Sequence, residues 1–410
     1  MKTHVVTGSS PAMAVERLAT CLPPQTAPRL VFAFYGEAAD DEGLHHCLAQ
    51  RWPGLPVLGG SSAGGVMSQD GLADHHQIGL MGLEDPGGDY GVAAGPLEGD
   101  PQACATALLL EAMDQAGCAG ELPALVWIYQ EPGSEEAVLA GLRRVLGDRC
   151  PIVGGSAADN AVAGRWRQLG PQGPLRGGLA VAVLYPTAAV RVVFQGGHEP
   201  TGQSGVVTGV GGSTGRRLGA QPGAPMQGRE LLTIDGKPAA EVYNQWLDGA
   251  LQPQLDGGGV ILAQTALHPL AVKVGQVHGL PHYLLVHPES VTPGHTLRTF
   301  CDLRVGDRLQ AMRGDRGRLV FRAGRVAAQA RAALPAGQTL AGALIVYCGG
   351  CRMAVGEEVA SVVQALRQRL GPVPFLGCFT FGEQGWLLDR NVHGNLMVAA
   401  VVFGAEELVR

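Results

Sequence analysis

A ten-residue phrase occurs three times in this chain: Pro56-Val-Leu-Gly-Gly-Ser-Ser-Ala-Gly-Gly65, Pro151-Ile-Val-Gly-Gly-Ser-Ala-Ala-Asp-Asn160 and Pro374-Phe-Leu-Gly-Cys-Phe-Thr-Phe-Gly-Glu383. Each copy closes a similar run: an apolar strand ending on tyrosine (Leu30 to Tyr35, Leu125 to Tyr129, Leu344 to Tyr347), a turn, a helix, then proline. The chain therefore reads as three copies of one supersecondary unit, and that recurrence sets what counts as unusual elsewhere.

Helical spacing of apolar residues predicts a helix before each strand, over Ala12–Leu22, Ala103–Ala116 and Arg322–Leu334. After each strand an acidic residue opens a second helix, at Asp40-Asp41-Glu42, Glu135-Glu136 and Glu357-Glu358. Carboxylates in a first turn face the positive end of the helix dipole, which assigns them a structural role. Each unit finishes with the proline-led strand, a glycine-rich loop and a further strand, at Gln77–Leu83, Gly178–Leu184 and Leu396–Phe403.

Strand-helix-strand units need right-handed crossovers onto parallel strands. The expected fold is α/β, with three internal strand-helix-strand repeats forming mixed sheets and a mainly β segment between the second and third copies. That segment runs from about Arg191 to Leu340. It contains a tight turn at Ile234–Lys237 and a helix over 238–247. Its expected short strands are Val260–Ala263, Leu270–Val274, Tyr283–Val286, Arg308–Arg313 and Leu319–Phe321. Pro222-Gly-Ala-Pro225 is the best linker candidate.

At 410 residues, two or three domains are expected. A net charge of −6 without a Lys/Arg stripe argues against nucleic acid and anionic lipid as partners. There is no basic, apolar leader and no run of bilayer-spanning length, so a cytoplasmic protein without membrane insertion is expected. Nine cysteines scattered over a long chain are expected to be mostly buried thiols.

Four motifs bear on chemistry. Gly60-Ser61-Ser62-Ala63-Gly64 matches a G-x-S-x-G elbow, but Val66–Gly71 reads as a turn where an elbow requires a helix. The glycine loops, with Gly154, Gly155 and Ser156 as the example, offer backbone N–H groups to cradle an anionic ligand. Cys348-Gly-Gly-Cys351 with Cys378 supplies three soft metal ligands, and His393 is a fourth if the loops converge. A redox CxxC normally opens a helix, and ordinary buried thiols are the alternative to both. Finally, His268, His278, His282, His287 and His295 crowd one stretch of the β segment.

The chain resembles the FIST class of bacterial sensory proteins over nearly its whole length. The matching runs are VFAFYGEAADDEGL, PVLGGSSAGGV and PIVGGSAADN, then GHEPTGQSGVVT, TIDGKPAAEVYNQWL and HPLAV, then ALIVYCGGCR, GEEV, PFLGCFTFGEQG and HGN. The resemblance implies a FIST N-like region over 1–224, holding two repeat copies. It implies a FIST C-like region over 225–410, holding the β segment and the third copy. It also implies sensing of a small ligand such as an amino acid and, in a haem-binding subset, of nitric oxide, with a histidine kinase as partner. Thiol density places the ligand cavity near the third copy, walled by Arg352, Phe379, Phe381 and Glu383. If the ligand is haem, His268 is the expected iron ligand, with Leu270, Val272 and Val274 burying the macrocycle and Cys348 as competitor. A sensor acting through a partner protein is expected rather than an enzyme, and a homodimer is left open. The rival is a thiol-dependent enzyme using Cys348, Cys351 and Glu383, with Arg352 lowering a thiol pKa.

Overall fold

The computed structural model describes residues 1–211 and 227–406. Three units share one plan. Unit one comprises strand Lys2–Gly8, helix Pro11–Cys21, strand Leu30–Gly36, helix Asp41–Arg51, strand Val57–Ser62, the hairpin Val66–Ser68/Gly71–Ala73 and strand Ile78–Glu84. Unit two repeats this from Asp89–Pro96 to Gly178–Tyr185, and unit three from Val190–Gly196 to Met397–Glu406. The β segment, Glu199–Arg313, is an insertion between the first strand and first helix of unit three. The division at 224/225 thus falls inside this insertion, while strand Val190–Gly196 pairs with Met397–Glu406 at the far end of the chain.

Helix starts follow local chemistry. Ser10, Asp40, Asp100 and Asp315 each accept a first-turn backbone N–H, and Pro11 and Pro101 occupy positions where no N–H is needed. Asp315 explains one departure from expectation, because Leu319–Phe321 belongs to the long helix Arg316–Ala332 that it caps and not to a strand. Val260–Ala263 also departs: a two-residue strand, Gly259–Val260, gives way to the short helix Leu262–Thr265. The turn at Asp235-Gly236 is as expected, with both residues at positive φ and Ile234 paired to Lys237. The Pro222–Pro225 linker candidate lies outside the described residues.

The units exchange hairpins in a closed ring. The sheet of unit one is extended by Gln168–Gly170/Gly173–Leu175 from unit two. Unit two's sheet is extended by Glu383–Leu387/Arg390–Gly394 from unit three. Unit three's sheet is extended by Val66–Ser68/Gly71–Ala73 from unit one. Each sheet therefore has the same six-stranded order, and no unit completes its sheet alone. The three proline-led strands end next to one another. Ala63 donates to the Phe379 carbonyl, Ala158 to Ser61 and Phe381 to Ser156. Gly59, Gly154 and Gly377 occupy equivalent places, packed against Ala33, Ile128 and Ile345 of the neighbouring parallel strand. Pairing register also corrects the sequence match: Tyr129 corresponds to Phe34, so Tyr35 is matched by Gln130 and Tyr347.

The inner faces of the sheets meet in a common core that includes Phe32, Phe34, Trp127, Tyr129, Val346 and Cys378. The outer faces are covered by helices, as in the cluster of Val126, Ile128 and Val181 beneath the helices of unit two. The insertion forms a nine-stranded sheet with its own core around Leu231, Ile234, Tyr243, Leu270 and Leu297. No helix among the described residues is long and apolar enough to cross a membrane.

Candidate functional site

At the carboxyl end of each parallel strand pair, an outer-face corner forms where the second helix begins. Unit one closes its corner with Tyr35, whose hydroxyl donates to Asp41, and with Arg167, whose Nε lies 2.6 Å from the same carboxylate. Unit three closes its corner with Tyr347, Phe379 and Arg352, the guanidinium lying 5.1 Å from the Phe379 ring centre. Unit two differs, having Gln130 where the others have tyrosine and Ser156 where unit three has phenylalanine.

Around Gln130 and Ser156 three parts of the chain converge. Glu135 and Glu136 come from the first turn of helix Glu135–Leu146 in unit two, and His393 from the hairpin lent by unit three. Arg229 and Asp302 come from the insertion. Arg229 Nη2 lies 2.6 Å from Glu135 and 2.7 Å from Glu136, and its Nε lies 3.2 Å from Asp302. The Ser156 hydroxyl donates to Glu135 at 2.8 Å, and Gly133 N–H also donates to that carboxylate. His393 Nδ1 lies 2.9 Å from Glu136, which also accepts the Asp302 N–H.

Charge is arranged to persist here. Burial alone would raise the carboxyls of Glu135 and Glu136, but Arg229 and His393 together hold both below the usual range. Burial alone would lower the His393 pKa, and the Glu136 carboxylate outweighs it, so the imidazole is held above its ordinary value. Asp302 is raised by burial and by Glu136, despite its bond to Arg229. A protonated His393 has a second N–H, and Nε2, buried, finds no partner among the described residues. The amides of Gln130 and Gln384 are likewise buried and unpartnered at both ends. Strand alternation puts Gln130, Ser156, Gly382, Gln384 and His393 on one face. Only glycine fits at position 382, because a Cβ there would lie 2.8 Å from His393 Nε2, 3.3 Å from Ser156 Oγ and 3.4 Å from Glu135 Oε1. Donor and acceptor atoms thus converge on one small volume.

The residues expected from sequence are distributed differently. Gly154 and Gly155 sit within a strand paired on both sides, and Ser156 N–H donates to Gly382, so these amides serve the sheet and make no anion cradle. Ser156 enters the site through its hydroxyl instead. Of the four expected pocket walls, Arg352 and Phe379 stay together while Phe381 and Glu383 lie apart from them. Arg352 stacks on Phe379 on the outer face, Phe381 packs edge-on against Trp166, and Glu383 points to the inner face opposite Gly155. A cavity of about 290 Å³ lies elsewhere, between units one and two, lined by His45, Trp52, Leu55, Tyr90 and Pro171 among others. Its lining carries no carboxylate or guanidinium.

Cys348, Cys351 and Cys378 do not gather into a metal set; the one such group among the described residues is Glu135, Glu136 and His393. Ser62 is no nucleophile elbow, since a hairpin follows it and its hydroxyl accepts the Phe379 N–H. The five histidines of the insertion disperse: His287 is buried against Leu262, His295 bonds Glu241, and His268 is exposed. Leu270 is committed to the insertion's own core, Val272 packs against that core, and Val274 packs against the common core. The residues around His268 therefore do not fit haem, because no apolar face remains beside that imidazole for a macrocycle. Cys348, at 4 % exposure, likewise offers no open apolar face for a macrocycle.

Three α/β units with exchanged hairpins, an inserted β sheet, and a polar corner to which unit two, unit three and the insertion contribute define the architecture. The FIST N domain model matches residues 29–219 and the FIST C domain model residues 239–386. The chain is a FIST-domain protein, and FIST domains are associated with small-ligand sensing in signal transduction. No curated protein matches the sequence significantly. Among solved structures, cyanuric acid hydrolase from A. caulinodans aligns with a TM-score of 0.35 and 10% identity, covering 98% of each chain. PurLQS from Thermotoga maritima aligns with a TM-score of 0.20 and 11% identity, over 99% of this chain and 73% of that one. At these scores the likenesses carry no argument about fold or activity.

Proposed function

We propose that this FIST protein senses a small zwitterionic metabolite of the amino-acid class at the Gln130–Ser156–His393 corner, and that it is a sensor and not an enzyme. The observation that carries this reading is the set of buried, unpartnered polar groups on one sheet face: both ends of Gln130 and of Gln384, and His393 Nε2. A buried polar group left without a partner costs about 1–3 kcal/mol, so a face holding several calls for a polar occupant. The His393 N–H and the glutamine amides suit a carboxylate, and Glu135 with Ser156 suits an ammonium group. Haem is not part of this reading, for the reasons of fit given above.

The site also supplies a route for the signal. Arg229 and Asp302 belong to the insertion, Glu135 and Glu136 to unit two, and His393 to unit three. An occupant that binds better to one arrangement of these three parts shifts the population toward it. Output then passes to a partner protein, and the resemblance to the sensory family supports a histidine kinase in that role. The test is calorimetric titration of the full chain with a panel of amino acids and their decarboxylated or deaminated analogues. Binding that needs both charged groups supports the reading. A ligand whose affinity is unchanged in both Ser156→Ala and His393→Gln removes it.

A further inference from the structure

The Cys348-Gly-Gly-Cys351 segment lies on the other side of the same joint. Cys348 ends the central strand of unit three and is the N-cap residue of helix Gly349–Val355, so the CxxC does open a helix. The two glycines have a physical reason. A side chain at Gly349 would meet the Phe381 ring at 3.1 Å, and one at Gly350 would meet Leu396 at 2.8 Å and the Cys348 sulfur at 3.5 Å. The three-residue spacing across the N-cap and first turn sets the two cysteines on one side of the helix, where the Cys351 thiol donates to the Leu396 carbonyl at 3.5 Å and Cys348 pairs across the sheet with Thr380. Glu383 reaches the pair from the hairpin lent to unit two, fully buried, bonded by the Thr380 hydroxyl at 2.8 Å and by Met397 N–H at 3.1 Å.

We infer that Cys348 and Cys351 form a reversible dithiol–disulfide couple that exchanges with low-molecular-weight disulfides, with Glu383 as the proton carrier. Cys348 is the attacking sulfur, being the less buried of the two at 4 % exposure against 1 %. Burial would raise its pKa, but hydrogen bonds from Cys351 and from the N–H groups of Gly350, Cys351 and Leu396 pull it down to about 7. Cys351 is pushed the other way by burial and by the Cys348 charge. Glu383 is held protonated by burial and by that same thiolate.

The Cys348 thiolate attacks one sulfur of RSSR, forming Cys348–S–S–R and expelling RS⁻, which takes the Glu383 proton. With the thiolate charge gone, the Glu383 carboxylate accepts the proton of Cys351. The Cys351 sulfur then attacks Cys348, closing the Cys348–Cys351 disulfide and releasing a second RS⁻. Two electrons pass from the protein to RSSR, and Glu383 ends as it began. Closure also removes the Cys351 bond to Leu396 and acts next to Arg352, whose guanidinium touches unit one at the Gly64 carbonyl, so redox state would be felt between units.

The experiment equilibrates the full-length protein in buffers of oxidised and reduced glutathione, traps thiols with an alkylating agent and maps modified residues by mass spectrometry. The expected result is a reversible intramolecular bond joining Cys348 and Cys351, while exposed Cys21 takes a glutathione adduct as an ordinary surface thiol. Cys351→Ser should stop at one adduct on Cys348, and Cys348→Ser should leave Cys351 unmodified. Glu383→Gln should slow loss of the mixed disulfide by about tenfold or more, a kinetic effect that a packing role would not produce. The inference is overturned if wild-type protein shows adducts at Cys21 while Cys348 and Cys351 stay reduced. It is equally overturned if the Cys351→Ser protein carries no adduct at Cys348.

Discussion

Arg229 of the inserted sheet ends 2.6 Å from Glu135 in the first helical turn of unit two, two residues separated by 94 positions in the chain. This ion pair is buried on the Glu135 side, and the same guanidinium holds Glu136 and Asp302. Removing one partner of a buried pair leaves the others without compensation, at about 3–5 kcal/mol. Arg229→Ala should therefore lower stability by that order in chemical denaturation, and Arg229→Ala combined with Glu135→Gln should lose less than the sum of the two single changes. Additive losses would show that the two residues are not coupled.

Stability should fall on both sides of neutral pH. The folded-state pKa of His393 is raised, so its contribution is full below the unfolded value near 6.5 and is lost as pH rises through the folded value. His287 is buried neutral with its pKa lowered to about 4, so the unfolded state gains a proton first and stability drops as pH falls from about 6.5 toward 4. Glu135 and Glu136, both lowered, add a further loss below about 4.5. Thermal unfolding against pH should show both limbs, with the alkaline one absent in His393→Gln.

Ser62 separates a structural serine from a catalytic one. Its hydroxyl accepts the Phe379 N–H at 2.8 Å and donates to the Gly65 carbonyl, tying unit three to unit one. Ser62→Ala leaves the Phe379 N–H unpaired and should cost about 1–3 kcal/mol in denaturant unfolding. Ligand binding at the unit-two corner should persist in this variant.

Much of the repeat was legible because it is local: a proline, an apolar pair and glycines recur wherever a strand must pack closely on its parallel neighbour, as Gly59 does on Ala33. The ring of exchanged hairpins was not legible, because Val66–Gly71 carries turn residues and nothing in it names the third unit as its pairing partner. The one-residue offset at Tyr129 was hidden for the same reason, since register lies in pairing between strands. The site suffered most. Glu135 and Glu136 were visible only as helix-opening acids, while His393 lies 257 residues from Glu136 and Arg229 lies in an insertion with no periodic match. The signal available was Gln130 standing where the other copies have tyrosine, and it needed the corrected register to be seen.

His393 Nε2, Ser156 Oγ and Glu135 Oε1 crowd the place that a Cβ would take at Gly382. Titration of the full chain with the best-binding amino acid is compared between wild type and Gly382→Ala. The added Cβ would push those three groups apart, so binding should weaken by at least about tenfold, with the fold retained by circular dichroism. Unchanged affinity in a folded Gly382→Ala protein would rule out ligand binding at this corner.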